Sequence, residues 1–451
     1  MTLLAALLVA AVGPADGAAL VARSADMQRR VERELPADVL RAVVVHAFGE
    51  CQVVVVAEGE RPRARLDVSA SGADEPLLRR FLERIDLSVA REAAADGSEG
   101  KVAAIRSLFP PKDEKPAELS FAASLTLWLP EAVALELTCS YGRVHVEGRG
   151  ADVKVVNQFG AVELQRVRGD VEVDDQYGAI SVADVSGGAL LKGKSSAVTA
   201  LRVGGHVEVR TNGAPVRIEG AGSVRVENHL KSVELHDVAG DAAIVAPFCA
   251  VTARWIGGSL TIESGNASIV VEEVGQRLSI QHKNGKIDAR GVKGDAIVLG
   301  NLSDVALADV GGSAEVRSAA APVKVSGVGG RLIAENSART LEIVNARGDV
   351  EASARGGLLR MKWTRLPADG AEHAVTLEGE AGGIELELPD AASVALDLTS
   401  SGGSIDCALP GMNFEQNGAA RSGTLALGGG KVKLHATCVG GAIRVRRAAA
   451  R

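Results

Sequence analysis

Three features of the chain predict an all-β fold, a single-chain parallel β-helix (solenoid) with 18-residue rungs. Written in rows of 18 from Arg149 to near Trp363, the sequence repeats one pattern of aliphatic residues. Glycine recurs at one fixed column of those rows. Aromatic residues make up only 3% of the 451 residues, against 52 glycines and a 46% apolar fraction rich in Val and Ala. That composition suits short strands and tight corners around a narrow interior.

The first column of the rows holds Val167, Val185, Val203, Gly220, Val238, Ile256, Val274, Val292, Val310, Val328 and Ala346, with one row a residue short between Val203 and Gly220. Two places on stand Gly169, Gly187, Gly205, Gly222, Gly240, Gly258, Gln276, Gly294, Gly312, Gly330 and Gly348. A positive φ or a close neighbouring backbone would account for glycine there. A second column, Val162, Ile180, Val198, Val216, Val233, Val251, Ile269, Ile287, Val305, Val323 and Leu341, has no polar exception. Another aliphatic follows two residues later in each row, from Leu164 and Val182 to Val325 and Ile343. Period two is the mark of a strand with one buried face. Each row therefore holds two short strands, near 171–173 and 180–182 in the second, and no row can bury its apolar face without its neighbours. Stacking in register would bring Glu208 beside Arg225, Arg217 beside Glu234 and Lys324 beside Glu342.

Before the rows, residues 1–22 read as a signal peptide: an apolar stretch over 3–12 precedes small residues around Ala15, Gly17, Ala18 and Ala19, although no positive charge comes first. Cleavage is expected between 13 and 22, placing the protein outside the cytoplasm, in the periplasm, on the cell surface or secreted. Residues 23–118 form a small α/β segment. Helical character is expected over 24–35, strands over 39–45 and 51–56, and an amphipathic helix over 74–91, where Leu77, Leu78, Phe81, Leu82 and Ile85 recur at helical spacing. Residues 93–116, polar and carrying Pro110, Pro111 and Pro116, read as a loop. The solenoid runs over 119–363. Over 364–451 the period fails while alternation persists at 383–388, 394–399, 404–409, 424–427, 431–437 and 442–445, so further rungs and a β cap are expected.

Chemistry is sparse. The net charge of −7 is mild and no Lys/Arg run would track a phosphate backbone, which argues against nucleic-acid binding. Cys51, Cys139, Cys249, Cys407 and Cys438 form no CxxC or Cys/His cluster, so no metal site or cofactor is expected. Cys407 and Cys438 could be bridged in an oxidising compartment, or all five could be small buried hydrophobes. The eight histidines occupy different columns. Glu172, Asp174 and Asp175 are the densest acidic group of the rows and read as a solvated corner rather than a carboxylate pair for sugar chemistry. Phe159 and Tyr177 fall at equivalent positions of neighbouring rows and should stack as a local ladder. Left-handed hexapeptide acyltransferases also use 18-residue rungs, but their third hexad position should be aliphatic, and here it holds Pro215, Ser232, Lys286, Asp304 and Pro322. No catalytic residue is assigned.

The segment Leu125-Thr-Leu-Trp-Leu-Pro130, followed by Leu135-Glu-Leu-Thr-Cys-Ser-Tyr-Gly-Arg-Val-His-Val146, resembles the entrance to the repeats of the bacterial putative-adhesin family of unknown function. The units Val167-Arg-Gly-Asp-Val-Glu-Val173 and Tyr177-Gly-Ala-Ile-Ser-Val182 look like its rungs, and 383–389 with 440–445 like its closing strands. The resemblance covers roughly 119–447 and rests on structural motifs, so it implies a fold and carries no functional residues. The expected protein is a non-enzymatic, adhesin-like scaffold of the cell envelope or secreted fraction. Its partner would be a protein or carbohydrate surface, it would sit outside or peripheral to the membrane, and an open end would invite self-association. The alternatives are a polysaccharide lyase or glycosidase built on a β-helix, and an envelope sensor or accessory protein.

Overall fold

The computed structural model describes residues 25–57, 59–72, 74–92, 101–111, 119–367, 371–390 and 392–448. The expected signal peptide and its cleavage window lie outside them. The chain is nearly all β, with 68% strand and 2% helix, and winds into a parallel solenoid of about 13 turns with rungs of about 18 residues.

Each regular rung carries two strands. In one they are Val153–Phe159 and Val162–Val167, and in the next Val171–Asp175 and Ala179–Val185. The rungs pair in parallel, Val155 opposite Val173, Val162 opposite Ile180 and Val167 opposite Val185. Alternation then sends one side chain in two to the interior. The column from Val162 to Leu341 is at most 3% exposed on every rung. Each such aliphatic contributes about 1.5–3 kcal/mol on burial, which a single rung could not collect. The shortened row closes between the pairs Val203–Ala221 and His206–Ser223. Ala221, not Gly220, is thus the first-column residue of that rung, because the missing residue falls one position later than the sequence suggests.

Two columns at the same corner have different physical causes. Immediately before the lone buried Val of each rung stands a residue in the left-handed region: Gly148, Arg166, Asp184, Arg202, Gly220, Asp237, Trp255, Glu273, Gly291, Asp309, Gly327 and Asn345, with φ between 53° and 74°. The repeated glycine three residues later is there for space. A Cβ on Gly348 would stand 2.3 Å from the carbonyl oxygen of Gly330 one rung below, and one on Gly294 2.6 Å from that of Gln276. The residue after it is often Asp, and its carboxylate reaches one rung on: Asp152 accepts from the backbone N–H of Asp170, Asp170 from Gly188, Asp241 from Ser259 and Asp295 from Ser313, at 2.7–2.9 Å. The recurring Gly-Asp dipeptide is a corner that closes its own backbone bonds.

At another corner the inward position is polar. Asn157, Asp175, Thr211, Asn228, His282, Ser318 and Asn336 are all buried there, and the asparagines among them donate to turn carbonyls, as Asn157 Nδ2 does to Gly160 O at 2.8 Å and Asn228 Nδ2 to Ala214 O at 2.8 Å. Asp175 was expected at a solvated corner, but it is fully buried. It accepts from Asn157 Nδ2 at 3.0 Å, Gly178 N at 2.6 Å and Ser196 Oγ at 2.6 Å. Those three donors replace the water that a buried carboxylate would otherwise lack.

Both ends of the stack depart from chain order. Strand Arg41–His46 lies between Val102–Leu108 and Ala134–Tyr141, while Glu50–Val55 lies between Ser120–Leu129 and Val144–Arg149, all in parallel. At the far end Val432–Val439 is intercalated between His373–Glu380 and Val394–Ser401, and Ile443–Arg447 between Gly383–Leu388 and Ile405–Cys407. Antiparallel strands then cover the ends: Arg63–Gly72, Ala25–Glu34 and Asp86–Glu92 at one, Ala420–Leu427 and Asn413–Asn417 at the other.

Three N-terminal expectations are corrected. The segment read as helical over 24–35 is strand Ala25–Glu34, with Val31 opposite Leu66, because a full antiparallel ladder with Arg63–Gly72 outweighs local helix propensity. The helix spans only Glu75–Glu83, capped by Asp74 and burying Leu78, Phe81 and Leu82, and the chain continues as strand Asp86–Glu92. The expected loop over 93–116 contains strand Val102–Leu108, whose Val-Ala-Ala-Ile run is buried, with Asp86–Glu92 on one side and Arg41–His46 on the other. The remainder of that span, apart from 101 and 109–111, lies outside the described residues. All five cysteines are free. Cys438 stands opposite Ser400 and Gly379, and Cys407 opposite Val445.

Candidate functional site

The stack leaves a groove of about 1000 Å³ running across the rungs from Val245 to Glu378. Its floor is one outward column, Glu263, Gln281, Leu299, Arg317, Glu335, Ser353 and Glu378, each opposite the next in register. Two residues from it run Lys283, Asn301, Ala319, Ser337 and Arg355. Hydrogen-bonding groups thus repeat at the roughly 4.8 Å step of adjacent strands. Carboxylates and guanidinium groups neutralise each other along it: Arg317 lies 2.9 Å from Glu315 and 3.7 Å from Glu335, and Arg331 2.8 Å from Glu351. Glu335 and Glu378 stand two rungs apart in this column with Ser353 between them, and Glu351 lines the same stretch. The two-rung step of about 9.6 Å is at the upper edge of the roughly 5–9.5 Å that places a carboxylate pair about one glycosidic bond.

His282 lines the groove, and its Nδ1 lies 2.9 Å from Ser303 Oγ. The pair has the outline of a nucleophile and its base, but Ser303 is fully buried and its hydroxyl also contacts Asn301 O at 3.1 Å. Burial lowers the His282 pKa. His46 repeats the arrangement at the N-terminal end, with Ser107 Oγ 2.9 Å from Nδ1, and burial pushes its pKa down to about 4. Both pairs tie corners to the interior.

The acidic group singled out in the sequence does not converge. Glu172 is held between Lys154 and Lys192, each 3.2 Å away, and its pKa is lowered first by the hydrogen bond from Lys154. Asp174 faces solvent and Asp175 the interior. Among the described residues no three His, Cys, Asp or Glu side chains gather as a metal-binding group, and no helix is long and apolar enough to cross a membrane.

The stacking expected of Phe159 and Tyr177 is present, with centroids 5.2 Å apart and planes at 14°, and the ladder continues to Tyr141 and Phe48 at 5.0 and 5.6 Å. Glycines follow all four rings, and a Cβ on Gly142, Gly160 or Gly178 would meet the carbonyl of the glycine one rung below within 2.2 Å. Phe48 also packs edge-on against Phe109 and Phe121 beside a second cavity of about 1320 Å³. Sequence reasoning missed this cluster because Phe48 belongs to a rung that enters the stack out of chain order. Since the inner rings of the ladder cover each other's faces, they offer outward only edges.

Two of the three outward charge pairs inferred from the rows are ion pairs, Arg217–Glu234 at 3.9 Å and Lys324–Glu342 at 3.8 Å. Glu208 and Arg225 are register partners, but they form their closest bonds within their own strands, to Arg210 and Glu227.

No protein-family model matches the chain, and no curated protein matches it. Among solved structures, one described as a "putative cell adhesion protein" from Clostridium sporogenes aligns over 94% of this chain and 100% of its own, at 8% identity and a TM-score of 0.17. A likeness at that score is too weak to bear on function.

Proposed function

We propose that the protein is a non-enzymatic binding scaffold acting outside the cytoplasm, and that it holds an extended partner, a polysaccharide or a peptide strand, along the groove between Val245 and Glu378. The observation that carries this reading is the register itself. Seven successive rungs present Glu263, Gln281, Leu299, Arg317, Glu335, Ser353 and Glu378 in one line, a surface that distributes contacts instead of focusing them on one bond. Catalysis needs convergent groups in a concave and partly dry site. In the groove Glu335 and Glu351 lie beside Arg317 and Arg331, and Ser303, the partner of His282, is buried, which favours holding a ligand over reacting with it. Placement outside the cytoplasm rests on the apolar stretch over 3–12 and the small residues after it.

The test is a panel of polysaccharides, acyl donors and peptides incubated with the full chain, with and without divalent metals, scored for both product formation and retention. Retention without turnover is the expected result. Turnover abolished by one substitution within a single rung would replace the scaffold with a β-helix enzyme.

A further inference from the structure

The left-handed column gives an unexpected view of one residue. Glycine fills that position at 148, 220, 291 and 327, where it is the least strained choice. Arg166 and Arg202 stand there too, but each is tied by an ion pair, to Glu147 and to Asp184. Trp255 adopts φ 56° with 53% of its surface exposed, and no such tie holds it. The other two tryptophans are covered: Trp363 is 1% exposed, and the guanidinium carbons of Arg63 and Arg65 lie 4.5 and 4.9 Å from the Trp128 ring centroid. A bulky aromatic in a strained and exposed place, where the fold accepts glycine, points to a use beyond folding.

Its surroundings give that use a chemistry. Trp255 forms one wall of a notch of about 480 Å³, also lined by Asp237, Gly257, Glu273, Gly275 and Lys293. Asp237 and Glu273 occupy the same corner one rung to either side, as the register Val238–Ile256–Val274 fixes. Among the described residues neither carboxylate nor Lys293 is in an ion pair. His236 meets the Trp255 ring edge-on at 5.8 Å and steadies it. Gly257 and Gly275 leave the floor bare of side chains.

We propose that this notch binds a sugar ring of an uncharged glycan, with the apolar face of the ring against Trp255 and its hydroxyls shared among Asp237, Glu273 and Lys293. A hydroxyl both donates and accepts, which matches a rim carrying two acceptor carboxylates and one donor ammonium. An anionic ligand would face both carboxylates. A cation would meet Lys293 and find only one aromatic wall for cation–π contact. The site stands apart from the groove, so its failure would leave the scaffold reading untouched.

The experiment titrates the full chain with chitotriose, cellotriose and maltotriose, reading tryptophan emission and, independently, calorimetric heat. At least one trisaccharide is expected to give a saturable blue shift below about 10 mM, because Trp255 is the ring left open to ligand. Trp255→Gly and Trp255→Asn place in the column residues it already carries elsewhere, so both should melt with the parent. Both should also lose at least about tenfold in calorimetric affinity, with Asp237→Asn and Glu273→Gln losing part of it. Silence from all three sugars, or unchanged affinity in whichever tryptophan variant melts with the parent, would overturn the site. A saturable response to tetramethylammonium chloride alone would overturn the ligand class in favour of a cation.

Discussion

Replacing Gly348 with alanine isolates the reason for the repeated glycine. Its backbone is not left-handed, so a rule based on φ would treat the change as harmless. The structure says otherwise: the new Cβ would stand 2.3 Å from Gly330 O, 2.6 Å from Gly330 C and 3.1 Å from Arg331 N. All three are backbone atoms, so the rung itself must shift. Overpacking of this kind costs about 1–3 kcal/mol, and the reduced freedom of the unfolded chain offsets about 0.4–1 kcal/mol of it. A net loss of about 1–2 kcal/mol should lower the melting temperature by roughly 1–2 °C in a chain of this length. Gln276 occupies this column on one rung, which shows that the corner can widen and keeps the cost finite. The control is Gly220→Asn. Gly220 has φ 71°, its Cβ would meet only ordinary contacts with Arg202 at 3.5 Å, and Asn345 already stands in that column with φ 53°. The control should lose less than about 1 kcal/mol. Thermal denaturation followed by circular dichroism ranks the two, and a Gly220→Asn variant less stable than Gly348→Ala would refute the assignment.

Further outcomes concern buried groups. Ile269→Asp would place a carboxylate between Val251 and Ile287 in a fully buried aliphatic column, so a loss above about 4 kcal/mol is expected, and a variant that melts with the parent would take Ile269 out of the interior. Arg149 is fully buried in the lone-Val column, where it donates to Leu129 O at 3.2 Å, Val133 O at 2.7 Å and Pro130 O. Burial lowers its pKa to about 10, which still leaves it charged at neutral pH. Arg149→Met should cost about 2–4 kcal/mol by stranding those carbonyls, and equal or greater stability in urea would contradict it. His46 has a folded pKa of about 4, depressed from 6.5 by burial. The unfolded chain therefore binds its proton more tightly, and the contribution is intact above pH 6.5 and lost as pH falls towards 4, up to about 3 kcal/mol. His46→Gln should flatten that part of the stability profile, and parallel profiles for parent and variant would exclude it.

The regular rungs were legible because each buries the same columns, so one pattern repeats from Val162 to Leu341 without interruption. What escaped notice lies where pairing is decided by distant chain. Residues 25–34 carry charge at helical density, and only their pairing with residues 63–72 makes them a strand. The rungs at 41–55 and 432–447 enter the stack out of order, which hid the link between Phe48 and Tyr141. Asp175 reads as a surface acid until the three donors around it are seen. The groove's outward column was present in the rows, but nothing in its varied residues singled it out before the stack gave it a concave shape. Trp255 drew no attention because its signal is a backbone angle, which the sequence does not display.

The most direct test of the scaffold reading is amide hydrogen exchange on the full chain, with and without whichever polysaccharide or peptide the panel retains. The account predicts slowed exchange in several separate segments at 18-residue intervals, around 263–266, 281–283, 299–301, 317–319 and 335–337, with the bound molecule unchanged afterwards. Protection confined to one segment, or recovery of a cleaved ligand, would contradict it.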